Sequence, residues 1–206
     1  MKQADLPIFW HESVTKPEVL NMAETPVPLT APSLVGRNLF LRPASPEDIA
    51  NTQHWLLTSE PQTLTPEPAA IESASAVSEA YKKAPGDVSR QMFMIVRSKD
   101  NQPVARVWYV NLNSQNRSAQ VDILVDPDER RKGYGAEGLK ILCRHLFEQR
   151  GLNRIYAFAA NDNHAGVALL DKAGFTREGT LRQFYFYDGE YHDAIVSAVM
   201  RFEYDA

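Results

Sequence analysis

One segment limits this chain more than any other: Val125-Asp126-Pro127-Asp128-Glu129-Arg130-Arg131-Lys132-Gly133-Tyr134-Gly135-Ala136. An apolar β-type run, Val121-Asp122-Ile123-Leu124-Val125, leads into it, and a helical pattern leaves it from Ala136 through Glu148. Strand, glycine-punctuated basic loop, then helix is an arrangement that binds phosphate. Loop amides and the helix N-terminus aim unpaired N–H donors at one point, and the helix dipole favours negative charge there. Gly133 and Gly135 are expected to let the backbone approach an anion where a Cβ would obstruct it. Arg130, Arg131 and Lys132 add positive charge beside it.

The spacing excludes a Walker loop, because Gly135 is followed by Ala136-Glu137-Gly138 and not by the required Lys-Ser/Thr. Gly133-Tyr134-Gly135-Ala136-Glu137-Gly138 fits the dinucleotide fingerprint Gly-x-Gly-x-x-Gly literally. That fingerprint, however, has no cluster of bases before it and opens a repeated βαβ frame with an acidic residue about 20 residues on. Here the strand lies deep in the chain and no repeat follows it.

Residues 1–35 differ from the rest. Pro7, Pro17, Pro26, Pro28 and Pro32 interrupt any regular element, yet Ile8, Phe9, Trp10 and Leu20 are apolar enough to pack on the body or on a second subunit. From Asn38 the pattern becomes regular. Leu39 and Leu41 alternate as a first strand, and Ser45-Pro46-Glu47-Asp48 is a helix start with Ser as N-cap and Pro at N1. A second helix is expected near Ile71 to Lys83. Strands are expected over 91–97, 104–111 and 118–125, then the long helix, a strand over 154–160 and a short helix over 165–172 that Gly174 closes. Two last strands, about 176–187 and 191–203, meet at Asp188-Gly189, a hairpin signal.

At 206 residues the chain suits one domain. No run approaches a membrane span, and the net charge of −4 does not favour nucleic acid as a bulk partner. The single cysteine, Cys143, excludes an internal disulfide and suits a reducing, cytoplasmic setting. No His/Cys cluster has metal-ligand spacing.

The segment Arg130-Arg131-Lys132-Gly133-Tyr134-Gly135 resembles the pyrophosphate loop of the GNAT acyltransferases, Arg/Gln-x-x-Gly-x-Gly/Ala. Asn163 through Phe175, with its Lys172-Ala173-Gly174-Phe175 ending, resembles the family's second motif. Arg177-Glu178-Gly179-Thr180-Leu181-Arg182 and Tyr187-Asp188-Gly189-Glu190-Tyr191-His192-Asp193 look like the tail of its RimJ/RimL-type and polyamine-acetylating branches, and Leu39 through Asp48 like their start. The resemblance covers residues 36 to 204 in the expected order and identifies residues 36–206 as a GNAT domain of the RimJ/RimL-like branch, with residues 1–35 as an arm. It implies a single α/β (α+β) domain: a mixed, mostly antiparallel seven-stranded sheet, splayed between strands 4 and 5 and flanked by about four helices. It also implies acetyl-CoA in that wedge, held by Val125, the Arg130–Ala136 loop and Asn163. The implied activity is acetyl transfer to a primary amine by direct attack, the acceptor being a protein N-terminus or a small amine such as a polyamine, amino sugar or antibiotic. The alternative is a non-catalytic acyl-CoA-binding sensor or scaffold. A homodimer fits the family.

The family's usual catalytic groups are missing. Gln120 stands where relatives often have Glu, and Gly166 and Leu170 stand where they have Ser or Tyr. Asp122, two residues on, faces the same side of the strand as Gln120. It either serves as the base or pairs with a cationic group. Tyr134, Tyr185 and Tyr187 are the substitutes for the acid, with Tyr187 the one expected to serve. Trp55, Tyr185 and Glu190, with Glu60, Glu67, Tyr187 and Tyr191, are expected to line the acceptor mouth. Asn163 either holds the cofactor, caps the helix after it, or does both.

Overall fold

The computed structural model describes residues 32–58, 73, 75, 76, 79 and 88–204. The strands are β1 (Leu39–Pro43), β2 (Gln91–Arg97), β3 (Gln102–Asn113), β4 (Ser118–Val125), β5 (Arg154–Ala160), β6 (Thr176–Tyr187) and β7 (Glu190–Met200). The helices among the described residues are α1 (Pro46–Asn51), α2 (Gln53–Leu57), α3 (Tyr134–Glu148), α4 (His164–Ala173) and the single turn α5 (Arg201–Tyr204). The helix that starts at Ser45-Pro46 is short, ending at Asn51, and Thr52 separates it from α2. The one expected near Ile71 to Lys83 lies, apart from a few positions, outside the described residues.

All seven strands form one sheet in the order β1-β2-β3-β4-β5-β7-β6. Every neighbouring pair is antiparallel except β4–β5. That parallel pair is short: Ser118, Ala119 and Gln120 lie opposite Arg154, Ile155 and Tyr156, and then the strands part. The hairpin at Asp188-Gly189 has both turn residues at positive φ, +51° and +81°, the twist that a two-residue turn between right-twisted strands requires. Between Leu181 and Tyr185 the β6–β7 register slips. Gln183 swings to φ +53° there, and its amide donates to Asp193 Oδ1 at 2.8 Å. This bulge sets the direction in which Tyr185 and Tyr187 leave the strand.

Side-chain alternation divides the sheet into two faces. On one, Ala119, Val121, Ile155, Ala157 and Val199 pack with Leu139, Leu142, Leu146 and Phe147 of α3 and with Leu170 of α4. On the other, Met94, Val96 and Leu124 pack with Ile49 and Trp55 of α1 and α2. Helix α3 lies very close to β2, since a Cβ at Gly138 would fall 2.2 Å from Ile95 Cδ1.

The entry to α1 is doubly fixed. Ser45 Oγ accepts from the Asp48 amide at 3.1 Å while Asp48 Oδ2 accepts from the Ser45 amide at 2.7 Å, a reciprocal capping box. Arg42 of β1 then binds both Asp48 oxygens, at 2.6 and 2.7 Å. The end of the expected N-terminal arm belongs to the packed body. Ser33 and Leu34 are buried, and Arg144 of α3 donates to the carbonyls of Ser33 and Val35.

Candidate active site

Past Gln120 no strand among the described residues lies beside the facing edge of β4, and Val121–Val125 borders an open wedge. At the mouth of the wedge the chain forms an anion cradle. Pro127–Glu129 makes one tight turn, with the Asp128 amide donating to Asp126 Oδ1 at 3.1 Å. Arg131 (φ +61°) and Gly133 (φ +86°) then turn the backbone left-handed before α3 begins. Gly133 is the N-cap of α3 and has no side chain to cap it, so the first-turn amides of Tyr134, Gly135 and Ala136 remain available as donors. This is the arrangement a pyrophosphate needs, and the residues present fit it.

The charges beside the cradle are unequal. Glu129 accepts from Lys132 Nζ and from Arg97, both at 2.9 Å, and these bonds hold its carboxyl below the ordinary range despite an opposing desolvation effect. Lys132 is therefore partly neutralised. Arg131 is exposed, and Arg130 Nε lies 3.4 Å from the Val125 carbonyl. Tyr134 turns its ring toward Arg97, whose guanidinium sits 5.7 Å from the ring centroid, so only its amide can serve the cradle. Gly135 has another reason to be glycine than the one expected. Its Cβ would lie 2.6 Å from Leu169 Cδ1 and 3.0 Å from Val125 Cγ2, so its bare backbone lets α3 seat against α4 and β4.

Asn163 is buried and caps α4, its Oδ1 accepting from the Gly166 amide at 2.9 Å. A Cβ at Gly166 would lie 2.8 Å from Asn163 Nδ2, so glycine there leaves room for the capping side chain. Leu170 is a core residue of α4.

On the face opposite α3 and α4, Gln120 and Asp122 stand together at the point of divergence, both buried. Gln120 Nε2 donates to Asp122 Oδ2 at 3.1 Å. Tyr185 of β6 is raised to about 12, first by burial and then by the Asp122 charge, and Tyr156 of β5 is raised by burial with a contribution from Asp122. Register puts Trp108 of β3 directly opposite Asp122. Phe158 and Phe184 stack with centroids 5.3 Å apart, and Phe184 meets Tyr185 edge-on at 4.9 Å. One carboxylate, two phenols and an aromatic wall thus meet where the wedge begins.

Two expectations change. Trp55 is 4% exposed and belongs to the core beneath α1 and α2, so it backs the acceptor face and does not line a mouth. Tyr187 is held elsewhere: its hydroxyl donates to Asp162 with both carboxylate oxygens at 2.5 Å, its ring stacks on His192 at 3.6 Å, and His192 Nδ1 lies 3.2 Å from the same carboxylate. Burial, then Asp162, raises its pKa further, and the cluster ties the β6–β7 hairpin to the loop that carries Asn163. Glu190 is exposed at the hairpin, opposite Tyr187. Glu60 and Glu67 lie outside the described residues. Sequence reasoning missed Arg106, Trp108, Tyr156 and Asp162. A sign of the first was visible, since Arg106 is a charge inside the apolar run Val104-Ala105-Arg106-Val107.

Two further properties bear on the chemistry. Cys143 is buried and its thiol is pushed up by burial, so it is no nucleophile. Among the described residues no group of His, Cys, Asp and Glu could hold a metal, and no helix is long and apolar enough to cross a membrane.

A splayed β4–β5 pair, an uncapped glycine cradle on β4–α3 and an Asn-capped α4 define an acyl-CoA-dependent transferase. The family profile described as "Acetyltransferase (GNAT) domain" matches residues 38–176. The chain belongs to this GNAT acetyltransferase family and is an acetyl-CoA-dependent N-acetyltransferase. Spermidine N(1)-acetyltransferase of Escherichia coli (strain K12) is 26% identical over 133 residues, covering 65% of this chain and 70% of the relative. The spermidine N(1)-acetyltransferase of Vibrio cholerae is 26% identical over 65% of this chain and 76% of its own. A putative ribosomal N-acetyltransferase of Bacillus subtilis, YdaF, is 27% identical over 46% of this chain and 52% of its own. In fold, the chain superimposes on the V. cholerae spermidine N-acetyltransferase solved with CoA and spermine at a TM-score of 0.71, with 23% identity over 82% of this chain and 99% of that one.

Proposed function

We propose that the protein moves the acetyl group of acetyl-CoA directly onto the primary amine of a small acceptor, with Asp122 as the base. The observation that carries this is the buried Asp122 carboxylate at the divergence of β4 and β5, electrostatically coupled to Tyr185. Acetyl-CoA supplies a thioester whose carbonyl carbon is already activated. The first-turn amides of α3 and Arg130 hold its pyrophosphate, and an amide of the unpaired β4 edge polarises its carbonyl. Asp122 takes the proton that the attacking nitrogen must lose, directly or through one water. The N–C bond forms as the C–S bond breaks, and the departing thiolate takes a proton from Tyr185 or from water. Gln120, by hydrogen bonding, keeps the Asp122 carboxylate oriented.

The names of the relatives put polyamines, spermidine foremost, at the head of the acceptors to test, ahead of a protein N-terminus. The aromatic wall around Asp122 suits an ammonium group. The test is release of free CoA thiol from acetyl-CoA with spermidine, spermine, diamines, amino sugars and short peptides. Turnover of a small amine, lost in Asp122→Asn, supports the reading. CoA binding with no turnover on any amine would favour the sensor alternative.

A further inference from the structure

Arg106 lies in the middle of β3, opposite Leu124 of β4 and Met94 of β2. Alternation puts it on the same face as Asp122, and because Trp108 is opposite Asp122, the two are diagonal neighbours, about 7 Å apart at the backbone. Arg106 is 7% exposed, and among the described residues its Nε has no hydrogen-bond partner. Among the described residues no carboxylate pairs with it. No ion pair joins it to Asp122, and burial lowers its pKa to about 10. The contrast with Arg42 on the same face is direct, since that guanidinium is paired with both oxygens of Asp48. A buried guanidinium without a counter-ion is costly, and Met or Leu would fill the same space without the penalty.

We propose that Arg106 is an anion subsite of the acceptor pocket, so that the preferred acceptor bears a carboxylate or phosphate group as well as the amine that is acetylated. This rests on the amine transfer proposed above and, within it, sets such acceptors ahead of the polyamines that the relatives' names put first for testing. A zwitterionic acceptor with its amine at Asp122 places its anion at Arg106. A polyamine at Asp122 brings Arg106 a second positive charge and no anion. The guanidinium fork suits planar, bidentate capture of such an anion.

Matched pairs test this, because ornithine and putrescine, or lysine and cadaverine, differ only in the carboxylate. The wild-type protein is expected to favour the carboxylated member by about 10- to 100-fold in kcat/KM, the range of one charge-assisted bond. Arg106→Met removes the preference, and Arg106→Lys keeps part of it. Arg106→Met folds with a Tm equal to or above wild type, as expected when an unpaired buried charge is removed. Calorimetry of ornithine binding to the CoA-loaded protein reads the subsite without turnover. Ornithine binding that Arg106→Met abolishes sustains the subsite even if no acetyl group moves, and then only the activity reading fails. Turnover in which putrescine equals or exceeds ornithine, unchanged in Arg106→Met, overturns the subsite and leaves the transferase reading intact. Absence of both turnover and Arg106-dependent binding overturns it as well.

Discussion

Replacing Asp122 by Asn separates the chemistry of this site from its architecture. Asn has the same shape, and its amide oxygen can still accept from Gln120 Nε2, now 3.1 Å from Asp122 Oδ2. The fold is therefore expected to change in stability by no more than about 1 kcal/mol. The reaction is affected far more. A lysine-like amine with a pKa of about 10.4 is neutral to only about one part in 10³ near pH 7.4. Without a base, only that fraction can attack, which corresponds to about 4 kcal/mol at about 1.36 kcal/mol per pH unit. The expected loss in kcat is about 10²- to 10⁴-fold at neutral pH. Thiol release measured from pH 6.5 to 10 should rise about tenfold per pH unit in the variant and much less steeply in wild type. A second readout is optical. Burial and the Asp122 charge together hold Tyr185 at about 12, so removing the charge should move its phenol to a lower pKa in a tyrosinate absorbance titration. A variant within threefold of wild type, with an unchanged pH slope, would refute the assignment of Asp122 as base.

Tyr185→Phe should lower kcat by about tenfold or more if that phenol delivers the proton to the thiolate, whereas Tyr187→Phe should leave kcat nearly unchanged; steady-state kinetics on both tests the change of acid from Tyr187 to Tyr185. Gly138→Ala puts a Cβ 2.2, 2.9 and 3.2 Å from three atoms of Ile95, so overpacking of about 1–3 kcal/mol outweighs a helix-propensity gain of up to about 1 kcal/mol. Urea unfolding should show a net loss that Ile95→Val partly restores. Burial raises the Asp48 carboxyl, but the hydrogen bonds from Arg42 and Ser45 outweigh it and leave the pKa lowered. Its contribution is thus present above the unfolded value near 3.8 and is lost as pH falls through the lower folded value. Asp48→Asn should unfold more easily at pH 7 and lose less on acidification to pH 3, checked by urea midpoints across that range.

Much of this protein was legible locally. The Asp188-Gly189 turn, the Gly174 helix end at φ +94° and the Ser45 cap follow from steric and hydrogen-bonding preferences that act over four or five residues. Strands β2, β4 and β5 follow from short-range apolar patterning, and the strand–glycine–helix order announced the anion cradle for the same reason. What only the tertiary structure decided concerns partners far apart in the chain. The end of β4–β5 pairing at Gln120 makes Asp122 the carboxylate at the wedge, and the sheet register brings Tyr156, Tyr185 and Trp108 to it. The β6 bulge and the Asp162 carboxylate take Tyr187 away, and burial between sheet and helix moves Trp55 from a mouth into the core. That no carboxylate among the described residues pairs with Arg106 is of the same kind. A charge in an apolar strand can be read from sequence, but whether a counter-ion meets it depends on which side chains the fold brings within a few ångströms, and that is set by long-range packing.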